Sequence, residues 1–451
     1  MSMTGTRREA PETEIRIAGL RFAVFTTRNL VFLLAVLAMN YTLLRPSPVD
    51  LLYVLSFLIT LFLMTLLEKQ EVTRRSVTFI LIVAAWGLSC LLASLPNFSE
   101  DGVAFELLSK TFAITIGIIS VFVSMSWKKR HFEIFMKVYI VSCVIASILG
   151  TIGFLLQTEL LTWDGRAKGF IDDPNMYGSF LLPAVVFCVY FLFRPRGNKV
   201  LLIGAMAIVL LGILLSFSRI AVVAVMICLF AYIFFHNRRR PRRLVLTIGS
   251  LVVIGVVLFA FASLTSAEFT EKLLDRLTFA KSYDLGEEGR YHRYLLVLPM
   301  IMENPIGLGV LQLDKIFPEP IHNIWLSSFV NYGWTGGIAW LVLAFGTVGV
   351  SIRNYRRTRN EITIVLLISL IGIVMCASLH EGEHWRQMWL HFGLIWGMNT
   401  FNFDLGAGPK ARQIPPAKRS LPRRAGASRP PISTAASTST GHVQRPMASP
   451  R

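Results

Sequence analysis

Three short stretches set basic side chains and a histidine where apolar sequence begins or ends. Arg219 closes "LLSFSR", between two hydrophobic runs. A guanidinium drawn toward the centre of a bilayer costs about 2.5–3.5 kcal/mol on insertion scales, so it serves an anionic ligand or snorkels to headgroups. Arg290 and Arg293, in "GRYHRYLLVLPM", lie three apart and share a helix face. As a pair they could grip phosphate through fork-shaped hydrogen bonds; the plainer reading is that they solvate that face beside Glu287 and Glu288. His322 stands in "PEPIHNIWLSSFVNYGWTGG". Pro320 favours a chain break, and the run from Asn323 to Tyr332 reads as a helix closed by Gly333. On its first turn a histidine feels the positive end of the helix dipole and stays neutral, the state a general base requires. The alternative is a helix-terminal histidine bonded to a backbone group.

Two further clusters invite metal chemistry and read more simply without it. "HEGEHWR", from His380 to Arg386, satisfies H-E-x-x-H, which sets two histidines on one helical face around zinc. Gly382 weakens a helix there, and no third ligand follows at a familiar spacing. The segment reads instead as a polar rim, with Arg386 as an added phosphate or sugar contact. In "WDGRAKGFIDDPNMYGS", Asp172 and Asp173 project in different directions, and "DDPN" is a turn signal. There is no Gly-rich phosphate loop with lysine, no Ser-centred elbow and no nucleic-acid module.

The elements that must hold these residues are membrane helices. Of 451 residues, 54% are apolar and only 16% charged, which excludes a large soluble core. Only a helix or a closed barrel satisfies its backbone in lipid, and a spanning helix needs about 17–25 apolar residues. About twelve such segments fit between residues 22 and 403, giving an all-α polytopic membrane protein. The weakest step is residues 200–235, which fit two short spans reversing near Ser216 to Arg219. The net charge of +18 suggests nucleic acid, but the basic residues alternate from loop to loop. By the positive-inside rule, residues 1–21 form a cytoplasmic tail, both termini are cytoplasmic and the odd-numbered loops lie outside. One outer loop, 265–323, is long; it contains an amphipathic stretch, "SAEFTEKLLDRLTFAKS", and a second helical stretch ending near Pro305. The five cysteines fall inside spans without metal or disulfide spacing, and 404–451 reads as a disordered basic cytoplasmic tail.

Taken together, the motifs resemble the O-antigen ligase and polymerase superfamily of bacterial envelope glycan enzymes. "HNIWLSSFVNYGWTGG" is similar to its histidine motif, "RYHRYLLVLPMIMENPIGLGV" to its Arg-led helix with a Pro and Gly-x-Gly turn, "SFSRIAVV" to its Ser-x-Ser-Arg junction, and "GFIDDPNMYGSFLL" to its Gly-Phe to Pro-Asn loop. The resemblance covers roughly residues 160–400. It implies an inner-membrane glycosyltransferase working at the periplasmic face without metal, nucleotide or other cofactor. The donor would be a glycan on undecaprenyl diphosphate, and the acceptor a sugar hydroxyl on lipid A core or a growing polysaccharide, with a chain-length regulator as a further partner. Carried over by motif, His322 would be the general base, and Arg219 and Arg290 would bind the diphosphate. Arg293 and Arg386 are weaker additions, and Asn323, Gly333 and Asn175 support the motifs. The rivals are a lipid-linked saccharide flippase or transporter, which would place polar residues along several span middles, and an intramembrane zinc protease built on His380 and His384.

Overall fold

The computed structural model describes residues 12–43, 47–67, 72–195, 197–265, 289–317 and 319–404. The expected amphipathic helix over 266–282 and the tail beyond 404 lie outside the described residues. Within them the chain is helical apart from one two-residue hairpin, Thr162–Trp163 (β1) with Arg166–Ala167 (β2). The helices are α1 (Glu12–Leu37), α2 (Pro48–Phe62), α3 (Arg74–Ser94), α4 (Val103–Met125), α5 (Lys129–Leu156), α6 (Pro174–Leu192), α7 (Lys199–Leu215), α8 (Arg219–Asn237) and α9 (Pro241–Thr265). They continue with α10 (Arg290–Glu303), α11 (Ile324–Thr358), α12 (Glu361–Ala377) and α13 (Arg386–Gly397). Eight of the described helices are long and apolar enough to cross a membrane, and α7 and α12 are shorter apolar helices. Helix α1 begins inside the expected N-terminal tail.

Apolar surface outside and apolar surface inside identify the solvent. Leu81, Met226, Phe230 and Phe345 stand exposed on the bundle, as lipid-facing side chains do. Helix α6 is the opposite case: 89% of its apolar window is buried, so a helix hydrophobic all round occupies the middle of the bundle. Hydroxyls inside spans return to their own helix, as Ser120 does to the Ile116 carbonyl (2.7 Å) and Ser124 to that of Ser120 (2.6 Å). Small residues let backbones meet. A methyl group added at Gly393 or Gly397 of α13 would collide with the Gly117 or Val121 carbonyl of α4, the close approach that a G-x-x-x-G spacing permits.

The reversal near Ser216 is present: α7 ends at Leu215, α8 starts at Arg219, and Phe217 takes a left-handed φ of 49° between them. The break at Gly333 is present too, as a kink (φ 69°, ψ −171°) that divides α11 into a short first piece and a long span. Carbonyls freed by the kink are taken up by the turn after α10. Leu308 N–H donates to Val330 O and Gly309 N–H to Asn331 O, both at 2.9 Å, while Trp334 N–H reaches Pro305 O (2.9 Å). Any side chain at Gly333 would strike the Pro305 carbonyl, so glycine is required by space as well as by φ.

Polar contacts gather at the two ends of the bundle. One end joins the starts of α2, α4, α6, α8, α11 and α13 and carries His322. The other joins their far ends, where Arg28 donates to Ser126 (2.6 Å), Arg75 to Asn354 (2.7 Å), and Arg194 pairs with Glu361 (3.4 Å).

Candidate functional site

His322 precedes its helix by more than the pattern suggested. Asn323 is the N-cap, its side chain accepting from the N–H groups of Trp325 (3.0 Å) and Leu326 (3.1 Å). The histidine therefore stands before the cap and not in the first turn, so the dipole acts on it less than expected, because that field fades within a turn. Its backbone is left-handed, φ 54°, in a β-unbranched but bulky side chain, a conformation costing about 1–2 kcal/mol. Strain of this kind persists only where the surroundings impose it. Here they do: the His322 carbonyl accepts the Tyr294 hydroxyl at 3.3 Å, and the Arg293 guanidinium holds the Glu319 and Pro320 carbonyls just before it. The half-buried ring meets the His380 ring edge to face, centroids 5.3 Å apart.

Arg293 is committed to the same segment. Its guanidinium is 3% exposed, donates to the carbonyls of Glu319 and Pro320, and pairs with the Glu319 carboxylate at 2.7 Å. It thus clamps the chain just before His322. Arg290 opens α10 one turn earlier, and its side chain lies outside the described residues. Arg219 is the first helical residue of α8 and half-buried.

The "HEGEHWR" segment is a turn between α12 and α13, so His380 and His384 do not share a helical face. His380 faces His322, whereas His384 looks into a cavity. Burial pushes the Glu381 carboxyl up to about 8, with Glu383 and Asp314 adding to the rise and Lys110 opposing it. Burial lowers the pKa of His384, with the Lys110 and Arg386 charges adding to the fall and Glu106 and Glu383 opposing it. Glu383 is buried; it accepts from Ser327 (2.8 Å) and Tyr332 (3.0 Å) and lies 3.6 Å from the Lys110 ammonium, which also holds Glu106 at 2.7 Å. Lys110 and Glu106 stand one helical turn apart on α4, a local signal; their tie to Glu383 was not legible in the sequence.

A second cluster joins the two loop motifs on the other side. Arg166, on β2, donates to the Ser216 carbonyl (2.9 Å) and to Asn175 Oδ1 (2.9 Å), tying the reversal before Arg219 to the start of α6. Asp173 caps α6 through Asn175 N–H (2.6 Å) and Met176 N–H (3.0 Å), while Asp172 turns away into the cavity, as adjacent carboxylates in a turn should. Sequence reasoning passed over Arg166, which has no periodicity or motif to mark it.

Between the clusters lies a cavity of about 380 Å³. Leu51, Val54, Leu108 and Phe112 wall it on α2 and α4, and Asp172, His384 and Arg386 form its polar end. Arg386 reaches it already paired with Asp50 at 2.8 Å, its charge balanced.

A bundle with eight described helices long and apolar enough to cross a membrane, and large apolar side chains on its outer face, is a multi-pass membrane protein. A family model described as O-Antigen ligase matches residues 204–341, from α7 through Arg219, α10 and His322 to just beyond Gly333. That match supports the O-antigen ligase and polymerase superfamily, whose activity is glycan transfer from lipid-linked substrates. No curated protein matches this chain.

Proposed function

We propose that this protein transfers a glycan from undecaprenyl diphosphate to a sugar hydroxyl at the periplasmic face of a bacterial inner membrane. One observation carries the reading. The family-matched segment contributes Arg219, the start of α10 and a strained His322 to one end of the bundle, and the turn whose His380 meets the His322 ring also carries His384, which lines a cavity with apolar walls and a polar end. The opposite end carries Arg75, Arg130, Arg194, Arg353 and Arg356, which supports a cytoplasmic assignment for it by the positive-inside rule.

His322 takes the proton of the acceptor hydroxyl as its oxygen attacks the anomeric carbon. The bond from that carbon to the diphosphate oxygen breaks, and its electron pair leaves on the lipid diphosphate; attack opposite the leaving group inverts the centre. Charge grows on the diphosphate as the bond breaks, so Arg219 and Arg290 stabilise the transition state more than the ground state. Arg293 holds the His322 segment, and Arg386, balanced by Asp50, contacts sugar or headgroup and not the diphosphate. The apolar walls on α2 and α4 would receive hydrocarbon. No metal takes part.

Purified protein in lipid, given an undecaprenyl-diphosphate-linked glycan and an acceptor glycan with chelator present, should extend or transfer the glycan, and His322→Ala should not. Full transfer by His322→Ala would refute the mechanism. Movement of donor across the bilayer without a new glycosidic bond would establish a transporter instead.

A further inference from the structure

Because Gly333 breaks α11, the piece that carries His322 at its start is only residues 324–332. Helices of that length do not hold their own shape or direction in isolation. The turn after α10 fixes its far end through Val330 and Asn331. Laterally, the Trp325 indole N–H donates to Ser378 at the end of α12 (2.8 Å), and one carboxylate takes two more donors. Ser327, on the second turn, and Tyr332, the last residue before the kink, both donate to Glu383, at 2.8 and 3.0 Å. Behind that carboxylate stands Lys110 of α4, 3.6 Å away, over the Tyr332 ring at 5.7 Å from its centroid. Glu383 itself is held: its carbonyl accepts the Trp389 indole N–H (2.6 Å) from α13, the helix that packs backbone to backbone on α4.

We propose that Glu383 is a positioning residue, the buried carboxylate that references the His322-bearing piece of α11 to the rigid pair α4 and α13. Three residues away in the same turn, the His380 ring meets the His322 ring, so a single turn touches both the histidine and its helix. A buried ion pair is a poor source of stability compared with apolar packing, and its best use is to specify geometry. Here the specified geometry belongs to a short piece that the kink at Gly333 separates from the long span. The positioning stands on these contacts alone; its consequence for turnover rests on the glycan-transfer reading.

Hydrogen exchange on the full chain in lipid nanodiscs tests the positioning without reference to activity. Glu383→Gln should raise exchange at residues 324–332 by about fivefold or more and leave the span beyond Gly333 unchanged. Tyr332→Phe, which removes one hydroxyl and leaves the rest of the fold in place, should give a smaller rise confined to the same residues. Exchange unchanged in both variants, or raised equally on both sides of Gly333, would overturn the proposal. In the transfer assay Glu383→Gln should lower kcat by about 100-fold, the cost of a misplaced catalytic group, with donor KM within about twofold and partial rescue by Glu383→Asp. A local rise in exchange with no transfer by the unaltered protein refutes the transfer reading and leaves the positioning; a normal kcat for Glu383→Gln beside a dead His322→Ala does the reverse.

Discussion

Each end of the bundle holds a carboxylate that gathers three donors, and the two carboxylates live in different solvents. At the basic end Glu361 receives Arg194 (3.4 Å), His236 (3.1 Å) and the buried Tyr232 hydroxyl (3.3 Å), and the Glu361, Arg194 and His236 side chains are about a quarter to a third exposed. At the other end Glu383 is 3% exposed and receives Ser327, Tyr332 and Lys110. Partly wet pairs typically contribute 0–1 kcal/mol, since water competes for both partners. Removing one partner of a buried pair costs about 3–5 kcal/mol, because the charge left behind has no water to turn to. The same chemistry is therefore a loose fastening at one end and a geometric constraint at the other. On the proposed mechanism, the end that must place a histidine precisely is the end whose supporting carboxylate is buried.

The largest effect that would break this contrast lies at the histidine. His322→Ala should lower transfer by about 1,000-fold or more, as loss of a general base and its alignment does, while the protein still purifies as a folded species. Arg219→Ala and Arg290→Ala should each lower transfer by about 100-fold, in keeping with loss of a charged transition-state contact. Comparable activity in any of the three would remove the site from this end. Next, Gly333→Ala should destabilise the protein by more than about 1 kcal/mol, read as a lower Tm, because a left-handed φ and the Pro305 carbonyl both oppose a methyl group. Smaller again is a pH effect at Glu381. Its pKa is raised on folding from the usual carboxylate range to about 8, so the fold favours its neutral form. That contribution is fully present below the unfolded pKa and is lost as pH rises through about 8. Melting curves from pH 5 to 9 should show Tm falling with pH, and Glu381→Gln should flatten the slope. The smallest change is expected at the basic end. Glu361→Gln should shift Tm by no more than a degree or two, the scale of a partly exposed pair, and leave transfer unaltered. A large loss of activity there would mean that the two ends are coupled.

Much of the frame was legible before the structure. Length and hydropathy mark the helices because the bilayer leaves the backbone no other partner. The reversal at Ser216, the closure at Gly333 and the turn at Asp173 depend on residues within a few positions of one another, so local chemistry announces them. Asn323 as the cap is likewise a local fact, although it displaced His322 from the first turn. Arg293 looked like half of a phosphate fork; Glu319 and two carbonyls occupy it, a pairing across a turn that helical spacing does not encode. "HEGEHWR" had the letters of a zinc site without the helix that would aim both histidines the same way.

By itself, then, the amino-acid order determined which segments prefer lipid, where they stop, and which ionisable residues stand at their ends. Each of these is settled by solvation and by neighbours along the chain. Only the tertiary structure decided that Glu383 would stand between Lys110 and the His322 helix, that Arg166 would join Ser216 to Asn175, and that Asp50 would balance Arg386. Those pairings join residues on different helices. A charge buried there takes whichever partner helix packing brings within reach, and that packing is set by the whole bundle at once.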